Sequence, residues 1–139
     1  MGKSFRVNMV SADRQLFCGE VVSIAATAVT GEIGVLAGHT PLLAMLKPGQ
    51  VRLTLADGNE EIIYVSGGFL EVQPGQTVIL ADEAERAENL SEEKIQAARE
   101  RAEAAMREGA KNRIDYAKAQ VELAQATAQL AALKRSKKR

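Results

Sequence analysis

The sequence predicts an α+β fold in which an N-terminal antiparallel β-sandwich or barrel precedes a C-terminal α-helical hairpin. Three observations lead there. Ten of the 11 Gly, all three Pro and four of the five aromatic residues fall at or before Ala87, which confines the turn-forming residues to the first part of the chain. Residues 88–139 contain 13 Ala and, apart from Gly109, nothing that breaks a helix. The apolar residues also change period, from alternation before residue 88 to three-and-four spacing after it. Such a shift marks two packed units, placed at residues 1–87 and 88–139.

The strands follow in order. Phe5, Val7 and Met9 alternate with mostly polar neighbours, the pattern of a strand with one buried face. Val21–Val29 is β-branched enough for a second strand, and a Gly-rich stretch fills 31–38. Val51, Leu53 and Leu55 then point one way while Arg52 and Thr54 point the other. Asp57-Gly58 supplies the positive φ angles of a tight hairpin turn, with Ile62–Ser66 as the return strand. Gln73-Pro74-Gly75-Gln76 has Pro and Gly where a type II turn needs them, joining Phe69–Val72 to Thr77–Leu80. Gly67-Gly68 inside a strand-like run implies a bulge or a close backbone approach.

The helices carry their own punctuation. Ser91 is a capping residue, and Glu92 and Glu93 set negative charge at the positive end of a helix running to about Glu108, with Gly109 as its C-terminal stop. Its apolar stripe of Ile95, Ala98, Ala102 and Ala105 is narrow. A second helix from about Arg113 to Leu133 carries two stripes. Ile114, Ala117, Val121, Ala124, Ala128 and Ala131 form one; Tyr116, Ala119, Leu123, Ala126, Leu130 and Leu133 form the other. At 100° per residue they lie on nearly opposite sides, with Lys118, Glu122, Gln125 and Gln129 in a polar groove between them. One helix partner cannot cover both. Either the sandwich takes the second stripe, or that stripe is presented at times to another protein. The few large side chains here, each worth roughly 1.5–3 kcal/mol when buried, leave docking of the hairpin shallow against the entropy of ordering it. A partner with different affinities for two states can move such an equilibrium.

The formal net charge of zero, from 18 Lys and Arg against 18 Asp and Glu, argues against nucleic acid as the main ligand. It is a cancellation: six basic against ten acidic residues before Glu88 give −4, and 12 against eight from there on give +4. One Cys and one His exclude a disulfide framework and a multi-cysteine or His-rich metal cage. No apolar run is long enough to cross a bilayer, and Met1–Phe5 lacks a signal-peptide core, so the expectation is a soluble protein in a reducing compartment. Phosphate-loop, dinucleotide and hydrolase motifs are missing, and no catalytic constellation emerges. Cys18 is expected as a small buried apolar residue, Glu60-Glu61 as solvent-facing, and Lys134–Arg139 as a solvated tail.

Gly31-Glu32-Ile33-Gly34-Val35-Leu36-Ala37-Gly38-His39-Thr40-Pro41-Leu42-Leu43, then Val65–Val72, Val78–Asp82 and Ile114-Asp115-Tyr116-Ala117, closely resemble the epsilon subunits of bacterial F-type ATP synthases. The resemblance spans the chain. It implies a noncatalytic part of the rotating central stalk, peripheral on the cytoplasmic face of the bacterial inner membrane, without direct membrane insertion and without nucleic acid. Its implied partners are the gamma subunit, the c-ring of the membrane sector and, transiently, the catalytic alpha/beta head. Gly31 and Glu32 correspond to the c-ring contact, and His39, Thr40 and Pro41 to the gamma contact. Ala37 stands where relatives often have Pro. In this family the helical arm extends into the head and blocks ATP hydrolysis. Arg113, Lys118, Lys134 and Arg135 are the candidates to meet acidic loops there.

Some relatives bind a regulatory ATP through an Ile/Leu-Asp-x-x-Arg-Ala motif. Here the segment reads Leu90-Ser91-Glu92-Glu93-Lys94-Ile95, which loses the carboxylate, the phosphate-gripping guanidinium and the small Ala. No cofactor is therefore expected, and ATP binding should be weak or absent. An ATP-binding sensor is the alternative reading, a nucleic-acid-binding basic arm a third, and an enzyme the least supported.

Overall fold

The computed structural model describes residues 3–108 and 113–138. Strands β1 (Phe5–Ser11), β2 (Gln15–Val21), β3 (Ser23–Ala28), β4 (Gly31–Leu36), β5 (Leu42–Thr54), β6 (Glu60–Val65), β7 (Gly68–Gln73), β8 (Gln76–Ala81) and β9 (Ala84–Arg86) come first. A 3-10 turn at Ala87–Asn89 leads to α1 (Glu92–Arg107) and α2 (Arg113–Lys137). The α+β class with sandwich before hairpin is as the sequence predicts.

Strand β5 joins the two layers. Its first half, Leu42–Leu46, pairs with β7, and its second half, Gly49–Thr54, pairs with β6. Lys47-Pro48 lies between the halves, where Pro has no N–H to give to a ladder and a bend therefore sacrifices little. One layer thus runs β2-β1-β8-β7-β5, and the other continues through β3 and β4, with β6 and β9 on the far side of β5. The inward residues of both layers, Met9, Ile24, Leu53, Ile63, Leu70 and Ile79 among them, are fully buried in one core. Burial of this kind is worth roughly 1.5–3 kcal/mol per large side chain.

The structure corrects several strand expectations. Val21–Val29 is not one strand: the chain breaks at Val22, and Gln15–Val21 forms a hairpin with β1. Leu16 and Phe17 supplied too little alternation to reveal it. The Gly-rich stretch contains β4, which pairs with β3 from Gly31 to Leu36. The layers are not purely antiparallel either, since β1 lies parallel to β8. A parallel neighbour requires a long crossover, and here most of the sandwich intervenes. At Asp57-Gly58 only Gly58 has positive φ (90°), and Gly58 N–H donates to the Leu55 carbonyl at 2.9 Å, so the hairpin uses a longer loop than the expected two-residue turn.

Other expectations hold. Gly75 has φ 79°, as a type II turn requires, between the paired residues Gln73 and Gln76. Gly67-Gly68 marks a close approach: a Cβ on Gly68 would stand 2.0 Å from the Leu80 carbonyl oxygen.

Ser91 caps α1, its hydroxyl oxygen accepting from the Lys94 N–H at 3.4 Å. Ile95 and Ala102 are buried, Ala98 is half-buried and Ala105 exposed. Gly109, the expected stop, lies outside the described residues, as does Arg139. Helix α2 runs past Leu133 to Lys137, so most of the expected solvated tail is helical, with Lys137 donating to Glu92 at 2.9 Å.

The two stripes of α2 meet different fates. Ala119, Ala126 and Leu133 are buried on the α1 side with Leu130 packed beside Ile95. Of the other stripe the sandwich meets only the C-terminal end: Ala128 packs against it and Ala124 and Ala131 border it, while Ile114 is 78% and Val121 54% exposed. Beside the half-buried Ala128 the sandwich also takes Ala132, one further step along the series Lys118, Glu122, Gln125, Gln129. The reason is chemical. The sheet there presents Ile62 and the phenol of Tyr64, so the small Ala132 permits contact while Gln129 hydrogen-bonds Tyr64.

Candidate functional site

The expected site residues divide between the ends of β4 and the ends of α2. Gly31, at φ 125°, opens β4 with no atom near its missing Cβ, and Glu32 follows on the outer face of the sheet. Glu32 Oε1 accepts from Arg52 Nη2 at 2.5 Å. That hydrogen bond, and behind it the charges of Arg52 and of Arg135, hold the Glu32 carboxyl below the usual carboxylate range. His39 sits in the β4–β5 loop, past a turn that begins at Leu36, which lies roughly 13 Å along the strand from Glu32. The His39 N–H donates to the Leu36 carbonyl at 3.1 Å, and its ring Nδ1 donates to the Thr40 carbonyl at 2.6 Å. Because a carbonyl only accepts, Nδ1 carries the proton in this bond. Thr40 and Pro41 are exposed beside it, and the loop borders an open cleft of about 240 Å³ with Phe5, Val72 and Pro74.

The four basic candidates do not form one cluster. Arg113 and Lys118 lie exposed in the first turns of α2, and Lys134 and Arg135 near its end, about 30 Å away at 1.5 Å per residue. Arg135 approaches Glu60 of β6, Nε to Oε1 at 3.8 Å. Glu61, expected in solvent, is instead half-buried and bonded to Arg86 at 2.6 Å. The Glu92 carboxyl is lowered by its hydrogen bond to Lys137. Tyr64, under the arm, is pushed up to about 12 by burial first and by the charge of Glu83 second. Cys18 is exposed, not buried, because β2 turns it outward beside Arg6, whose Nη2 reaches Sγ at 3.2 Å.

A surface that was not expected is the outer face of β5, β7 and β8. Met45 pairs across to Phe69, and Phe69 to Leu80, placing three large apolar side chains in one row. Leu43, Glu71 and Val78 form the next row. Leu43 is 66% exposed, and Leu43, Phe69, Val78 and Leu80 border a shallow hollow of about 280 Å³. An apolar ladder left open on a monomer marks an interaction site. The signal was present in Leu42–Leu46 and Ile79-Leu80, which are apolar at consecutive positions and hence on both faces of their strands. Among the described residues, no group of His, Cys, Asp and Glu is placed to hold a metal ion, and no helix is long and apolar enough to cross a membrane.

Comparison with known proteins now decides the family. Residues 4–87 match the ATP synthase Delta/Epsilon chain beta-sandwich domain, and residues 88–134 match its long alpha-helix domain. The chain belongs to the ATP synthase delta/epsilon family. It is 56% identical to the ATP synthase epsilon chain of Dichelobacter nodosus, over 97% of this chain and 98% of that one. Among solved structures, a chain of the Euglena gracilis mitochondrial ATP synthase (OSCP/F1/c-ring, rotational state 1) superposes with TM-score 0.85 at 27% identity, covering 94% of this chain and 81% of its own. A chain of the Tetrahymena thermophila mitochondrial ATP synthase central stalk and c-ring shares the fold at TM-score 0.62 and 10% identity, with coverage of 95% and 98%. As an epsilon-type member of the delta/epsilon family, the chain is a subunit of the ATP synthase, a rotary enzyme complex.

Proposed function

We propose that this epsilon-type chain is a noncatalytic stalk subunit that links gamma to the c-ring with its sandwich and restrains ATP hydrolysis with its helical arm. The observation that carries the first part is the open apolar ladder of Met45, Phe69 and Leu80. A ladder of this kind supports a permanent protein contact, and we assign it to gamma together with His39, Thr40 and Pro41. Gly31 and Glu32, at the other end of β4 from that loop, are left to meet the polar loops of the c-ring. The subunit then sits peripherally on the cytoplasmic face of the bacterial inner membrane.

The second part rests on the arm. Its contact with the sandwich is small-sided, through Ala132 and Ala128 over Ile62 and Tyr64, while Ile114 and Val121 stay exposed. An arm so lightly held can leave, and Arg113, Lys118, Lys134 and Arg135 would then meet acidic loops of the catalytic head. ATP is proposed to bind weakly or not at all. Ile95, at the position where the nucleotide motif has Ala, fills that space against Ala126 and Leu133. Purification from native membranes tests the whole: co-elution with a rotary ATPase supports it, and absence from that complex sinks it. Micromolar affinity in a calorimetric ATP titration would favour the sensor reading instead.

A further inference from the structure

Glu32 does not stand on a free rim of the sandwich. It lies on the sheet face over which the end of α2 is laid. On that face β3 offers only Thr27 opposite Glu32 and Ala25 opposite Arg52, both uncharged. Arg52 of β5 is the near cation, 14% exposed and bonded to Glu32 Oε1. Arg135 of α2 is the second cation, held from the other side by Glu60 of β6 at 3.8 Å. Arg52 lies beside Ile62 in the β5–β6 register and Ala132 packs on Ile62, so the end of α2 brings the Arg135 guanidinium over the face that carries the Glu32–Arg52 pair.

We infer that the docked arm and a positively charged partner group compete for Glu32, so that seating of α2 and engagement of Glu32 oppose each other. A cation brought to Glu32 from outside meets the field of Arg135 and is repelled by it. With the arm gone, Glu32 and Arg52 remain as a neutral pair open on one side. Thermodynamic reciprocity makes the effect mutual: whatever binds Glu32 through positive charge loosens the arm by the same factor. The lowered Glu32 carboxyl fits this arrangement, with Arg52 as the main cause and Arg135 as a further contributor. Because Glu32 is 54% and Arg135 47% exposed, the coupling biases the arm and does not lock it. The identity of the competing partner rests on the c-ring contact proposed above, whereas the link between Arg135 and Glu32 belongs to this chain alone.

The test uses the full chain. Carboxyl NMR titration of Glu32 is compared in the unmodified protein, Arg135→Gln and Arg135→Lys. An upward shift of the Glu32 midpoint in R135Q, restored by R135K, supports the inference; an unmoved or lowered midpoint in R135Q overturns it. Amide exchange at Ala132 and Leu133 gives the reciprocal reading: Glu32→Gln should speed it about two-fold, as loss of one exposed pair implies. Unchanged exchange would again overturn the coupling. Cross-linking of Glu32→Cys to the ring in the assembled complex is scored separately, since its failure removes the c-ring as partner and leaves the titration result standing.

Discussion

Tyr64 of β6 and Gln129 of α2 share a hydrogen bond across the junction between sandwich and arm. It is a polar link inside an otherwise small-sided apolar contact; by itself it favours the ionised phenol, but burial and the charge of Glu83 outweigh it. With its titration pushed up to about 12, Tyr64 resists ionisation in the folded protein. A raised value means that the stabilisation is fully present below the ordinary tyrosine value of 10.0 and is lost as pH rises from there toward about 12. The unmodified protein should therefore lose stability over that window relative to Tyr64→Phe. Below it, Y64F should be the less stable by about 0.5–1.5 kcal/mol for the lost hydrogen bond. Thermal unfolding of both proteins from pH 7 to 12 checks the crossing.

Ala132 is completely buried against Ile62, Tyr64 and Ala87. Enlarging it has nowhere to go but outward. Ala132→Leu should lift the arm at a penalty of about 1–3 kcal/mol, while the fold of the sandwich is retained. Amide exchange should quicken throughout α2 and stay slow in β1, β7 and β8. Uniform acceleration of both parts would show that arm and sandwich unfold together.

Glycine substitutions separate crowding from backbone preference. Gly68 combines φ 132° with the Leu80 carbonyl 2.0 Å from an added Cβ, so Gly68→Ala should destabilise the sandwich by about 2–5 kcal/mol. Gly75 has φ 79° and open space around it, so Gly75→Ala should lose only about 1 kcal/mol. Urea unfolding of the two variants measures the difference, and equal midpoints would refute the crowding account.

These contrasts also show which parts of the fold were readable in the residues. Gly75 beside Pro74 is a local instruction, complete within four residues, and the turn came out as written. Ser91 capping α1 is local in the same sense. The pairing of β1 with β8 is not, because Val7 and Met9 alternate identically whichever strand lies beside them. Nor could the sequence say which face of α2 the sandwich would take. Ala132 is weaker than Val121 by any hydrophobic ranking, yet shape and the Tyr64 phenol select it. For the candidate site, the resemblance indicated Glu32 and His39, but not the bond from Arg52 to Glu32 or the charge of Arg135 acting on it, which only the folded chain provides. The ladder of Met45, Phe69 and Leu80 likewise exists only in the register of three strands.

Phe69 is the centre of that ladder and is 44% exposed, so its substitution should not unfold the chain. Phe69→Asp places a charge in the middle of the proposed gamma contact. Removing burial worth roughly 1.5–3 kcal/mol, and adding a charge to desolvate, should weaken association with gamma by at least about ten-fold. A pull-down with isolated gamma, alongside an unchanged melting curve of F69D, tests this. Undiminished binding would move the gamma contact off this face.

Deletion of residues 88–139 addresses the arm directly. The sandwich core of Met9, Ile24, Leu53, Ile63, Leu70 and Ile79 draws on no residue of the arm, so the shortened chain should fold and still bind gamma. The loss exposes Ile62 and Tyr64, which are buried under α2 in the full chain, and this predicts lower solubility without loss of the core. In the assembled complex, ATP hydrolysis should rise, because the cations Arg113, Lys118, Lys134 and Arg135 that would engage the head are gone. Replacing those four by Ala in the full chain should raise hydrolysis less, since exposed pairs contribute at most about 1 kcal/mol each and the apolar stripe of Ile114 and Val121 remains. Steady-state hydrolysis by the three complexes gives the order, and identical rates in all of them would show that the arm does not inhibit.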